Sequence, residues 1–185
     1  MGERRGQVLQ AAIELLDEVG LDGLTMRRLA GRLGVQAGAL YRHYPSKQAL
    51  LDAMVAHLVT PPDGAAPPLE GPWDERLRMM AIGIRELMLA HRDGARLLST
   101  FQHPGDEAVA AFHGLIAALA AAGIPAELAP VAVDTVMAYV NGYTTEEQAR
   151  KVGHWPKEQR DAAFRAGLEL IIAGVRSSSG AQATG

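Results

Sequence analysis

Apolar residues recur at helical spacing along most of the chain, and the most sharply bounded run lies between residues 25 and 34. Its apolar positions follow the i, i+3, i+4, i+7 pattern and are Met26, Leu29, Ala30 and Leu33. Thr25 precedes the run and can cap a helix, because its hydroxyl accepts an otherwise unpaired backbone N–H. Gly34 follows the run and can end the helix with a positive φ. We therefore expect a short helix with defined ends, then a second helix from near Gln36 to about Tyr44. Pro45 and Ser46 should end this helix and cap the next one.

Two short helices around a glycine turn are typical of the helix-turn-helix, whose second helix enters the major groove of DNA. Charge favours this interpretation, since residues 25–47 contain five basic side chains and no acidic one. The basic residues are Arg27, Arg28, Arg32, Arg42 and Lys47. Spacing and charge alone leave another interpretation open, an ordinary helical pair with a solvated basic face.

The same periodicity predicts an all-α protein of roughly nine helices. Residues 60–72 interrupt it with five prolines and two glycines, where no helix can continue. We therefore predict a helix-turn-helix DNA-binding domain with a connecting helix at 1–58, a Pro/Gly-rich linker at 59–72, a helical body at 73–176 and a disordered tail at 177–185. Within the body, helices are expected over 73–90, 95–101, 106–122, 125–150, and from 157 or 161 to 176.

Composition narrows the class of protein further. The 185 residues include no cysteine, which excludes disulfides and thiolate metal sites and suggests a reducing compartment. There is no apolar leader and no run of about eighteen apolar residues, so we expect a cytoplasmic protein that does not enter a membrane. The net charge of −3 divides into +2 for residues 1–48 and −5 for the remainder. Such a division is typical of a protein that touches nucleic acid at one end.

Three stretches of the first 58 residues resemble the headpiece of the tetracycline-repressor (TetR) family of transcriptional regulators. They are residues 15–20 (LLDEVG), 23–30 (GLTMRRLA) and 40–51 (LYRHYPSKQALL). The resemblance runs nearly ungapped from about Gln7 to Leu58. It implies a ligand-responsive transcriptional regulator, most often a repressor that a small-molecule effector releases from a palindromic operator.

The residues predicted to bind DNA lie in and around the two short helices. Arg27 and Arg28 follow the helix cap and can reach phosphate or guanine. The resemblance assigns Tyr41, His43 and Lys47 mainly to phosphates, and makes Gln36 and Arg42 candidates for base edges. The full set is Thr25, Arg27, Arg28, Gln36, Ala37, Gly38, Tyr41, Arg42, His43 and Lys47.

Two features of this region remain open in the sequence. Tetracycline-binding family members have a glutamine and a proline at the positions of Ala37 and Gly38, so we expect a different operator. The family also lays the start of the first helix on the DNA backbone, which would bring Arg4 and Arg5 near phosphates. The alternative for these two arginines is a frayed, solvated terminus.

Three stretches of the body resemble the tetracycline-binding branch of the family, namely residues 91–96 (HRDGAR), 141–148 (NGYTTEEQ) and 164–174 (FRAGLELIIAG). They imply that residues 73–176 bind an effector and form a homodimer, in which the last two long helices build a four-helix bundle. The predicted dimer interface contains Val136, Val140, Phe164, Leu168, Ile171, Ile172 and Val175. The alternative is that this apolar stripe packs within one chain.

The residues expected to line the effector pocket differ from those of the tetracycline-binding branch. Leu98 and Phe101 stand where a histidine and a threonine help to hold a magnesium-bound drug, and Glu146 matches a glutamate near the metal. One carboxylate without the imidazole is a poor magnesium site. We therefore expect an apolar or weakly polar effector, with no metal and no cofactor. The predicted lining, which could equally be plain core, is Met80, Ile84, Leu87, Leu98, Phe101, Phe112, Met137, Asn141 and Glu146.

Two other classes of function are compatible with a helical chain. An enzyme is disfavoured, because the sequence has no Gly-x-Ser-x-Gly, no His-Glu-x-x-His, no phosphate-binding glycine loop and no cysteine nucleophile. A helical dimerisation protein without operator specificity is the other alternative. The partners that we expect are double-stranded operator DNA, a small-molecule effector and a second copy of the chain.

Overall fold

The computed structural model describes residues 2–59, 71–102, 106–149 and 155–180, and within these ranges it contains helices and no strand. The helices are α1 (Gly2–Gly23), α2 (Met26–Arg32), α3 (Ala37–Tyr41), α4 (Lys47–Val59), α5 (Trp73–Ala90), α6 (Gly94–Ser99), α7 (Asp106–Ala121), α8 (Leu128–Ala149) and α9 (Lys157–Gly180). The predicted all-α class is confirmed. None of these helices has the length and apolar character that a membrane crossing requires.

The ends of the short helices follow from the residues at them. The Thr25 hydroxyl accepts the backbone N–H of Arg28 at 3.2 Å, and the Ser46 hydroxyl accepts that of Ala49 at 3.0 Å, so both predicted caps are confirmed. Gly34 has the predicted positive φ, 65°. α3 is shorter than predicted and ends at Tyr41. The N–H of His43 then donates to the carbonyl of Leu40 in a turn, and the chain leaves the helical region before Pro45.

The chain divides into two compact units, one of residues 1–66 and 86–104 and the other of residues 67–85 and 105–185. α5 therefore supplies residues up to Arg85 to the second unit and residues from Glu86 to the first. The predicted domain boundaries followed chain order and stay a prediction. Most of the predicted linker, residues 60–70, lies outside the described residues.

The core of the first unit combines the headpiece, residues 1–58, with the segment around α6. Leu97 of α6 is completely buried in the same cluster as Leu16, Leu24 and Leu29. Burial of such side chains is the main stabilising contribution to a small helical unit, at roughly 1.5–3 kcal/mol each. α6 is therefore part of the structural support of the DNA-binding helices.

A strained turn, His91–Gly94, fixes α6 to the end of α1. Asp93 has a left-handed φ of 56°, and its carboxylate accepts the N–H of Leu21 at 2.9 Å. That N–H is available because α1 breaks at Gly20, where φ is 74°. A Cβ on Gly94 would collide with the carbonyl oxygen of Met88, so the turn requires glycine there.

The second unit is built by α7, α8, α9 and the first part of α5. Its core is apolar and includes Leu77, Leu115, Leu119, Val133, Val136, Val140, Leu168 and Ile172. Tyr139 of α8 lies over α9 and donates a hydrogen bond to the carbonyl of Phe164 at 3.0 Å. A Cβ on Gly167 would collide with the Tyr139 hydroxyl, so this glycine serves packing within one chain.

The predicted disordered tail is wrong for residues 177–180. α9 continues to Gly180, and the Ser177 and Ser178 hydroxyls donate to the carbonyl of Gly174 at 2.7 and 3.1 Å. Serine can use this backbone carbonyl inside a helix, so a polar composition does not by itself end one. Residues 181–185 lie outside the described residues.

Candidate nucleic-acid interface

α3 and the residues around it present the predicted DNA-binding set to solvent. Eight of the ten side chains or positions are exposed, while Ala37 and His43 are half-buried. α3 itself is held by Leu40, which is 1% exposed and belongs to the core of the first unit. One buried side chain thus fixes the helix and leaves the other faces available.

The two adjacent arginines of α2 differ in their partners. The Arg28 guanidinium donates to the carbonyl of Gly23 at 3.1 Å, and the Lys47 ammonium donates to the carbonyl of Leu21 at 3.4 Å. Both cations are therefore anchored at the C-terminal end of α1. Arg27 and Arg42 make no hydrogen bond or ion pair within the described part of the chain, so they are the guanidinium groups available to a base edge.

Gln36 is also available for hydrogen bonding to DNA. It is exposed and occupies the residue before α3, where a side chain often caps the helix. Its amide makes no capping hydrogen bond here. Gln36 keeps its donor and acceptor groups for a partner outside the headpiece.

The acidic side chains of α1 between Glu14 and Asp22 make contacts elsewhere in the first unit. Arg32 donates to Glu18 at 2.7 Å and to Glu14 at 3.0 Å. The hydrogen bond from Arg32 lowers the pKa of Glu14 below its ordinary value. Arg32 is therefore neutralised within the headpiece, and four of the five basic residues of the segment from Thr25 to Lys47 are free of carboxylate partners among the described residues.

The other two of these carboxylates, Asp17 and Asp22, bind the segment that contains α6. Asp17 lies 3.0 Å from Nδ1 of His91 and accepts the backbone N–H of Arg92 at 2.9 Å. Asp22 receives both Nη groups of Arg96 at 2.9 and 3.1 Å, which lowers its pKa. These carboxylates of α1 thus bind partners within the first unit, while Arg27 and Arg42 have no carboxylate partner among the described residues.

Arg5 is held in place, although the sequence left its role open. Its guanidinium lies 5.0 Å from the centre of the Tyr44 ring, and its carbonyl accepts the Tyr44 hydroxyl at 3.2 Å. Tyr44 is 1% exposed and follows α3 closely. A positive charge from α1 therefore lies next to the end of the recognition helix, as a phosphate contact requires.

The predicted effector-binding residues are divided between the two units. Leu87, Leu98 and Phe101 belong to the first unit, and the other six belong to the second. Leu98 and Phe101 pack against the headpiece core, which agrees with the core alternative for these two residues. All nine except the exposed Glu146 are half-buried, and their binding role stays a prediction.

A buried charge cluster in the second unit has no signal in the sequence. Arg85 is 4% exposed and binds both oxygens of Glu147 at 3.0 and 2.9 Å and Asp161 at 2.8 Å. Its guanidinium also lies 4.8 Å from the centre of the Phe164 ring. Hydrogen bonds from Lys157 and Arg85 lower the pKa of Asp161. The cluster joins α5, α8 and α9, and a buried cation of this kind needs such partners.

Five of the seven predicted dimer-interface residues are core residues of one chain. Val136, Val140, Phe164, Leu168 and Ile172 are at most 1% exposed, which leaves a second chain nothing to contact. For these five the assignment is corrected, because periodicity identifies the apolar face of a helix and not the surface that covers it. Ile171 and Val175 remain half-buried.

The outward faces of α8 and α9 carry other apolar residues. Val131 is 56% exposed and Leu170 is 77% exposed. A shallow groove between these helices is lined by Ile124, Leu128, Val131, Ala132, Thr135, Ile171, Gly174, Val175 and Ser178. Both helices thus retain apolar surface after the chain has folded.

Comparison with known proteins covers both parts of the chain. The family described as bacterial regulatory proteins, tetR family, matches residues 8–54, and that described as tetracyclin repressor-like, C-terminal domain, matches residues 66–160. The chain is 35% identical to the tetracycline repressor protein class A from transposon 1721 of Escherichia coli, over 91% of this chain and 88% of that protein. It is 35% identical to the class G protein of Vibrio anguillarum, over 92% of each chain.

Two solved structures show what similar folds bind. A single-residue variant of TetR from Acinetobacter baumannii AYE, in complex with minocycline, has a TM-score of 0.81 and 37% identity, covering 93% of this chain and 96% of that one. BioQ with its natural double-stranded DNA operator has a TM-score of 0.74 and 33% identity, covering 94% of this chain and 98% of that one.

Proposed function

Because the chain belongs to the tetR family of bacterial regulatory proteins, we propose that it is a repressor with an operator and an effector of its own. Regulators of this family bind DNA and respond to ligands. The observation that carries the proposal for this chain is a set of exposed side chains around α3, Arg27, Gln36 and Arg42, which form no hydrogen bond with other described residues. The protein acts by binding and without catalysis, in the cytoplasm where its DNA is.

The operator is a near-palindrome with half-sites about one helical turn apart or somewhat more. Arg27 and Arg42 are the candidates for guanine, since an arginine can donate two hydrogen bonds to that base. Lys47, Tyr41 and Arg5 contact phosphates and set the affinity for all DNA. Ala37 and Gly38 give this operator a sequence different from that of the tetracycline-binding relatives.

A homodimer presents the two headpieces to the two half-sites. Val131 of α8 and Leu170 of α9 are exposed apolar side chains, and an apolar groove lies between the same two helices. Apolar surface of this kind favours burial against a second copy of the chain. An isologous contact brings the α8 and α9 faces of both copies together. The proposed interface therefore consists of the outward residues of these helices, with Ile171 and Val175 at its edge.

The effector is apolar or weakly polar. Leu98 and Phe101 supply no metal ligand at the positions where drug-binding relatives have a histidine and a threonine. Within the second unit, the predicted lining residues Met80, Ile84, Phe112 and Met137 are apolar and half-buried, which suits a ligand held by shape and burial. Effector binding lowers operator affinity through a coupling of roughly 1–3 kcal/mol.

The first experiment is selection of bound sequences from a random DNA pool, at a stated salt concentration. We expect recovery of a palindromic site by the wild type. Arg42→Ala should lose the site or relax one position in it. Arg165→Ala, which removes an exposed arginine of α9 without a partner among the described residues, is the matched control and should recover the same site.

Binding without sequence preference would contradict the proposal and favour a helical dimerisation protein. The selected site then serves as the probe for effectors, read by release of labelled DNA. Minocycline with Mg²⁺ is the first compound to test, and we expect it to leave the complex intact. Release at drug concentrations comparable to the protein would contradict the proposed effector class.

A further inference from the structure

The described headpiece residues 4–58 expose two large apolar side chains, and these flank the recognition helix. Val35 is 44% exposed and comes just before Gln36, while Tyr41 is 48% exposed and ends α3. Elsewhere in these residues the large apolar side chains are buried or half-buried. Exposed apolar groups on a functional face indicate a surface that a partner covers.

Val35 is presented by a fixed backbone. Its N–H donates to the carbonyl of Ala30 at 3.0 Å, and the N–H of Gly34 donates to that of Gly31 at 3.2 Å. The N–H groups of Gly34 and Val35 therefore both close the turn between α2 and α3. A contact made by Val35 requires little ordering of the chain on binding.

Between the two apolar side chains, one residue can hydrogen-bond through its side chain. That residue is Gln36, since Ala37, Gly38 and Ala39 carry methyl groups or hydrogen only. In the major groove, thymine is the base that offers an apolar group to a protein, its C5-methyl group. The surroundings are basic, with Arg27 and Arg42 free of carboxylate partners in the described chain, which fits DNA as the occupant.

We propose that Val35 reads a thymine in each half-site through its methyl group, supported by Ala37. This inference rests on the proposed operator-binding function and adds a residue that determines operator sequence. Discrimination at that base pair comes from apolar contact, while Gln36 and Arg42 provide hydrogen bonds at neighbouring pairs. Each half-site thus contains one thymine that is recognised through its methyl group and neighbouring base pairs that are recognised through hydrogen bonds.

The test uses the operator recovered by selection, with each thymine replaced in turn by deoxyuridine. This change removes one methyl group and keeps base pairing. For the wild type we expect one thymine per half-site at which the replacement weakens binding about fourfold, the equivalent of one buried methyl group. Val35→Ala should bind the thymine operator more weakly and lose the difference between thymine and uracil at that position alone.

Val59→Ala is the matched control, since Val59 of α4 is 39% exposed and lies outside the recognition segment. It should keep the full thymine preference. Equal sensitivity to uracil in the wild type and in Val35→Ala, or none at any position, overturns the inference. In either case a recovered palindrome leaves the proposed regulator function standing, whereas failure of the selection itself contradicts that function.

Discussion

Arginine has opposite roles in the two units. Around α3, Arg27 and Arg42 are exposed and have no partner among the described residues, so their guanidinium groups contribute nothing to folding and are available to DNA. In the second unit, Arg85 is buried against Glu147 and Asp161. The comparison teaches that burial and pairing, and not residue type, decide whether a cation stabilises the protein or serves a ligand.

Arg32 lies between these extremes and shows why counting charges misleads. It belongs to the basic segment by sequence, yet it is paired with Glu14 and Glu18. These side chains are partly exposed, and ion pairs of this kind contribute little to stability. Their effect is to remove one positive charge from the surface offered to DNA.

The largest expected effect is at Arg85. Arg85→Ala removes both hydrogen bonds to the buried Glu147 carboxylate, which keeps only Arg160 at 3.6 Å among the described residues, so the free energy of unfolding should fall by about 3–5 kcal/mol. Urea denaturation followed by circular dichroism measures it. Arg165→Ala should change stability by no more than about 0.5 kcal/mol. A loss below about 1 kcal/mol at Arg85 would show that the buried pairs are not needed.

Substitution of Arg42 should change the recognition of DNA and leave the stability of the protein unchanged. Arg42→Ala should cost about 1–3 kcal/mol of discrimination between the selected operator and a variant at one base pair. Its urea midpoint should match the wild type, because the side chain has no intramolecular partner in the described chain. Competition binding with paired operators gives the discrimination. A drop in stability equal to that of Arg85→Ala would remove the distinction between the units.

Lys47 should affect all DNA alike. Lys47→Ala removes the phosphate contact that we propose for this side chain, so the slope of log affinity against log salt should become shallower by about 0.9. Titrations of operator and random DNA at several salt concentrations measure this slope. Different changes on the two DNAs would instead make Lys47 a base-reading residue.

The smallest expected effect is on the stability of the protein at acidic pH. Since Lys157 and Arg85 lower the pKa of Asp161, its carboxylate stabilises the protein above the unfolded pKa of about 3.9. That contribution disappears as pH falls through the lowered value. The free energy of unfolding should therefore decrease as the pH is lowered from about 4, and it should decrease less steeply in Asp161→Asn than in the wild type. Identical acid profiles for the two proteins would exclude this source of acid sensitivity.

Local features were predictable from the sequence. The Thr25 and Ser46 caps, the positive φ of Gly34 and the bounds of α5 depend on residues a few positions apart, and all are confirmed. The candidate DNA-binding residues are mostly exposed for the same reason, since helical periodicity separates the buried Leu40 from its neighbours.

Contacts between distant residues were not predictable. Arg85 and Glu147 are 62 positions apart, and nothing in the spacing of either indicates the other. The burial of Leu97 in the headpiece core and the hydrogen bond from Lys47 to the carbonyl of Leu21 likewise depend on how helices pack. Periodicity also could not tell the interior of one chain from a surface between two, which is why five interface residues were misassigned.

Gly38 has a consequence for how such proteins diverge. A Cβ built on it meets no atom within 4 Å, so a side chain can be added to the recognition helix without disturbing the headpiece. Duplicated copies of the gene could therefore acquire new operators by single substitutions at this position, with no compensating change in the core. Gly94, by contrast, admits no side chain, and descendants of this chain must keep it while their targets change.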